Sequence, residues 1–191
     1  MKELEFHFHA EVAFSAPVSG HTFALHCLPV EDEAQQLQSY AVRIAPAAGY
    51  GLRRDGFGGW LVCGSCREPH TSFRYASHGI VRVNGHPQAE PMNPVLKQPT
   101  ALTAMTEPLE TLWRRLPLAG APPQQQAELL NRAAAEALHY VPGVTGIATT
   151  AGQALALGSG VCQDYAHILL ALARRSGFAA RYCMGLVPGE G

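Results

Sequence analysis

The hydrophobic period changes partway along this chain, and that change limits the folds open to it. Leu4, Phe6, Phe8, Ala10, Val12 and Phe14 alternate with Glu5, His7, His9, Glu11 and Ala13, the period of two that gives a strand one buried face. Phe23, Leu25 and Cys27 repeat it, as do Tyr40, Val42 and Ile44. Asp55-Gly56 and Asn84-Gly85 are turn pairs in which glycine supplies a positive φ, and β-forming runs flank them at 60–62, 73–75 and 80–83. After Pro122-Pro123 the spacing becomes helical, through Ala127, Leu130, Ala134, Ala137 and Leu138 up to Tyr140, where Pro142-Gly143 ends it. Strands first and helices later predict an α+β protein. We expect an antiparallel β-sandwich or barrel-like domain over 1–105, a proline-rich connection with short helical turns over 106–121, and a second, mainly helical unit over 122–191.

Two further helices are legible in that unit. Thr150-Ala151-Gly152-Gln153 has the form of a capping box and opens a short helix to Leu157, closed by Gly158-Ser159-Gly160. The pattern restarts at Val161 with Tyr165, Ile168, Leu169 and Leu172 and stops at Ser176-Gly177. A strand is predicted over 179–187.

Composition excludes several classes. Apolar residues make up 47% and charged residues 15% of the 191, enough for a core and too little charge for a disordered chain. A net charge of -1 without a basic run argues against nucleic acid or an anionic membrane as partner. The opening Met1-Lys2-Glu3-Leu4-Glu5-Phe6 has no signal-peptide core and no segment has the length of a membrane span, so a cytoplasmic protein is expected. Five cysteines, an odd number, favour reduced thiols over a disulfide framework.

One of those thiols stands in a distinctive setting. Gly158-Ser159-Gly160-Val161-Cys162-Gln163-Asp164-Tyr165-Ala166-His167 puts Cys162 in the first turn of a helix, beside unpaired backbone amides that favour a thiolate. The glycines before it let a substrate carbonyl approach sulfur and amides together, an arrangement suited to acyl transfer. Asp164 in the same turn meets the helix dipole favourably and reads as structural. His167, five residues on, lies about 7.5 Å along and about 140° around the helix, so it is expected to hydrogen-bond within the core or to a neighbouring segment rather than serve as base. Tyr165 and Arg181 either line a cleft or pack.

With Thr149-Thr150, Ala154-Leu155, Gly160 to Cys162, Asp164 to His167, Leu169, Ala171-Leu172, Arg174, Gly177, Ala180-Arg181-Tyr182 and Gly185, the chain resembles the transglutaminase-like superfamily. In particular it resembles bacterial proteins described as candidate cysteine proteases with a β-rich domain before the core. The resemblance is dense over 145–188 and weaker over 1–105. It implies the first half of a papain-like core and a Cys-His-Asp triad of which only Cys162 lies in this sequence, the His and Asp falling on later strands. A fragment that is truncated before its base is therefore expected to be inactive, and to self-associate through an open C-terminal edge.

A rival site is Cys63-Gly64-Ser65-Cys66 with His70 and, as a more distant candidate, His78, which has zinc-like spacing. It is a single pair without a second half, and the nine histidines are scattered, so a hairpin with two free thiols is expected and no metal or cofactor is assigned. The expected function is that of a cysteine hydrolase acting on a peptide or protein amide through a thioester at Cys162. The alternative is a non-catalytic module whose β domain binds a protein partner.

Overall fold

The structure is a computed structural model that describes residues 2–47, 49–84 and 92–186. It divides into two compact units, the first holding the described residues up to 84 together with 185–186, the second the described residues 92–184.

The first unit holds six strands: β1 (Lys2–Val18), β2 (His21–Leu25), β3 (Gln35–Ala45), β4 (Tyr50–Arg54), β5 (Trp60–Cys66) and β6 (His70–Val83). They form two antiparallel sheets, ordered β1-β6-β3 and β2-β5-β4. Phe23, Val62, Cys66 and Phe73 are buried in one cluster, flanked by Phe8, Phe14, Val42, Ile44 and Leu52. Both sheets contribute to that cluster, which makes the unit a two-layer sandwich. Along β1 the alternating face is only half realised: Phe6 is buried, whereas Leu4 and Val12 are exposed.

Three local expectations change. The runs at 73–75 and 80–83 lie on one strand, β6. β4 escapes the pattern reading because its five residues carry Gly51 and two arginines, so only Leu52 signals a buried face. At the β4–β5 turn the left-handed residue is Gly58, φ 79°, rather than Gly56. Asp55 Oδ1 there accepts from the amides of Phe57 at 2.7 Å and Gly59 at 2.8 Å, an Asx-type turn that moves the positive φ along the loop. Asn84 donates through Nδ2 to Glu33 O at 2.7 Å, and its predicted turn partner Gly85 lies outside the described residues.

The second unit contains α1 (Glu107–Arg114), α2 (Pro123–Glu136), β7 (His139–Tyr140), α3 (Ala151–Leu157), β8 (Ser159–Gly160) and α4 (Cys162–Arg175). Its core joins Leu109, Leu130, Ile168 and Leu172, all essentially inaccessible; each such burial contributes roughly 1.5–3 kcal/mol. The capping box of α3 forms as expected: Thr150 Oγ1 accepts from the Gln153 amide at 3.2 Å, and Gln153 Oε1 from the Thr150 amide at 2.9 Å. Gly158 follows at φ 66°, a left-handed cap.

The segment 137–140, predicted as the end of α2, leaves the helix. His139 donates to Gly158 O at 3.0 Å and Val141 to Gly160 O at 2.9 Å, so β7 pairs in parallel with β8. The residues preceding Cys162 are thereby held extended. No strand forms over 179–186. Its backbone has other partners: the Ala180 amide donates to Leu96 O at 3.1 Å, and Arg174 donates to Ala180 O at 2.8 Å through Nη2 and to Thr103 Oγ1 at 2.7 Å through Nη1. Among the described residues no helix is long and apolar enough to cross a membrane.

Candidate functional site

The site is built from the first turn of α4 outward. Val161 is the N-cap residue, with φ -119° and ψ -178°. Valine has no side-chain acceptor, so no hydroxyl or carboxylate at the cap covers the first amides of the helix. The Asp164 amide turns back to Val161 O at 2.8 Å. The amides of Cys162 and Gln163 have no acceptor among the described residues, as expected for the start of a helix. Cys162 itself is exposed. An exposed sulfur beside uncapped amides can attack a carbonyl carbon while those donors meet the developing oxyanion.

The neighbours of Cys162 fix this geometry. Asp164 is fully buried, and its Oδ2 accepts from the Val161 amide at 2.7 Å and from Thr145 Oγ1 at 2.6 Å. The first bond supplies half of a capping box from the helix side; the second ties down the loop after β7. Gln163 Nε2 adds a second tie, donating to Gly146 O at 2.7 Å. Gly160 has a different role from the one expected. A Cβ at that position would lie 2.7 Å from Asp164 Oδ2, so glycine there makes room for the buried carboxyl group.

His167 is buried on the next turn, its ring centroid 5.9 Å from that of Tyr182. Its Nδ1 has no hydrogen-bond partner among the described residues, so the expected core hydrogen bond is not made there. No described histidine or carboxylate is hydrogen-bonded to Cys162. Tyr165 packs on the core and donates through its hydroxyl to Leu138 O at 2.8 Å. A cavity of about 400 Å³ runs along one stripe of α4, formed by Gln163, His167, Leu170 and Arg174. Cys162, one residue before the stripe, lies outside its lining.

The other thiols differ. Cys27 is buried, and burial pushes its thiol pKa up. Cys63 and Cys66 are an odd number of residues apart on β5, so their side chains leave opposite faces of the strand. Cys66 lies in the core cluster and Cys63 does not. The Cys-x2-Cys pair therefore cannot share one ion. His78, the more distant candidate, stacks on His7 instead, with centroids 6.1 Å apart.

An exposed cysteine heading a buried helix, after an antiparallel β unit, defines the class as an α+β protein with a helix-borne thiol. Residues 4–82 match the bacterial transglutaminase-like N-terminal region and residues 112–191 the transglutaminase-like superfamily; the chain belongs to the transglutaminase-like superfamily. It is 34% identical over 88 residues to an uncharacterized protein of Mycobacterium leprae, covering 46% of this chain and 31% of that protein. Its fold matches that of the "Putative Cysteine Protease" from Cytophaga hutchinsonii with a TM-score of 0.72 and 16% identity, over 91% of this chain and 64% of the other. The chain thus spans less than two thirds of the length of either.

Proposed function

We propose that this chain carries the nucleophile of a cysteine hydrolase that cleaves amides of peptide or protein substrates, with Cys162 as that nucleophile. The observation that carries the reading is an exposed sulfur at an uncapped helix start, in a chain of this superfamily. Sulfur attacks the amide carbonyl carbon, the C–N bond breaks, and the amine departs with a proton. Water then attacks the thioester, which releases the acid and restores the thiol. The name of the Cytophaga neighbour supports hydrolysis over transfer to an amine.

Among the described residues no imidazole is hydrogen-bonded to Cys162, so no general base is assigned to either step. This chain alone should acylate once and turn over slowly. The test is burst kinetics with an activated p-nitrophenyl ester of a short peptide. One equivalent of p-nitrophenol per chain should be released in the burst, and Cys162→Ala should lose it. An undiminished burst in Cys162→Ala would remove the assignment.

A further inference from the structure

The β unit brings together three groups that nothing in the thiol chemistry uses. His21 and Cys66 are directly opposed across the β2–β5 pair, so their side chains leave the same face. His70 opens β6 in the other sheet, and its Nε2 lies 3.1 Å from His21 Nδ1. One ring nitrogen of each histidine and Cys66 Sγ all lie within 4.8 Å of one another. We propose that His21 Nδ1, Cys66 Sγ and His70 Nε2 bind one zinc ion that clips the two sheets together.

The distances suit the ion. Zinc binds imidazole nitrogen at about 2.0–2.1 Å and thiolate at about 2.3 Å, so tetrahedral edges are about 3.3 Å for N···N and about 3.6 Å for N···S. The nitrogen edge is within a few tenths of an ångström of that value, and the sulfur needs only a small side-chain rotation. Two imidazoles and a thiol without a carboxylate form the donor set of zinc rather than of calcium or magnesium.

The tautomers are set as well. His70 Nδ1 lies 2.8 Å from Glu68 O, and a carbonyl only accepts, so Nδ1 holds the proton and Nε2 turns its lone pair to the cluster. A backbone carbonyl behind a ligating histidine is a usual supporting contact of zinc sites. His21 Nδ1 must then donate in the 3.1 Å contact. On zinc binding His21 moves that proton to its Nε2 and the Cys66 thiol releases one proton to solvent, so the exchange yields one net proton. Phe14 and Phe73 edge onto the His21 ring, at centroid distances of 5.5 and 4.7 Å, and shield the ion.

The test uses the whole chain, stripped with a chelator and titrated with zinc. One equivalent should bind, and His21→Ala and His70→Ala should each weaken it at least about 100-fold, more than loss of a supporting contact does. Cys63→Ser and Cys162→Ser should bind like the parent. Cobalt(II) in place of zinc should give a sulfur-to-metal charge-transfer band that Cys66→Ser lacks; should Cys66→Ser not fold, the band is read in Cys63→Ser and His70→Ala, retained in the first and lost in the second. Failure of the parent to bind zinc at micromolar concentration would overturn the proposal. So would undiminished binding by both histidine variants.

Discussion

At the scale of single residues, the start of α4 depends on a contact between Gly160 and Asp164. The carboxyl group is buried, serves two donors, and occupies the space that any side chain at 160 would need. Gly160→Ala should destabilise the protein by about 1–3 kcal/mol through overpacking, and Asp164→Ala by at least about 2 kcal/mol by orphaning the Val161 amide and the Thr145 hydroxyl. The two losses should not add, because removing the carboxyl group frees the space that alanine at 160 requires. Urea denaturation of both variants and the double variant measures this; strict additivity would show that the contact is not the source of the cost. The sequence pattern placed Cys162 at a helix start because glycines, apolar spacing and a helix-stop glycine coincide there. It could not show the role of Gly160, which depends on a carboxyl group folded back from the next turn. Thr145 and His21 escaped notice for a related reason: each meets its partners only after distant segments close.

At the scale of elements, α4 is anchored at both ends. Its C-terminal turn packs on α1, where Arg175 makes two 2.9 Å bonds to Glu110 and lies 4.1 Å above the Trp113 ring. The Arg175 guanidinium holds the Glu110 carboxyl below the usual carboxylate range. A carboxyl that ionises more readily when folded contributes stability at pH above its unfolded value and loses it as pH falls through its lower folded value. The melting-temperature gap between the parent and Arg175→Gln should therefore be widest near neutrality and narrow below about pH 4. A gap that widens with acid would contradict the sign. The helices α2 and α4 were legible because 14 residues in each repeat one period, and the short α3 through its capping box. β7 and β8 were not, since two residues carry no period; their pairing instead ended α2 early. The strand expected over 179–187 reflected β-forming side chains, but the backbone near Ala180 pairs with Leu96 and Arg174.

For the whole molecule, the change of period falls between the two family matches, which cover 4–82 and 112–191. Cross-strand register was beyond the sequence: alternation says which face a residue takes but not which strand lies beside it. That is why Cys66 was first matched with Cys63, its neighbour in sequence, rather than with His21, its neighbour across the sheet.

The account as a whole depends on sulfur at 162 being set apart from the other thiols by the helix it heads. Cys183 is also exposed but heads no helix, and it provides the comparison within the same molecule. Treated with one equivalent of the activated peptide ester and mapped by mass spectrometry, the protein should carry the acyl group on Cys162 in preference to Cys183, with Cys27 and Cys66 unmodified. An adduct on Cys183 in equal or greater amount would contradict the account.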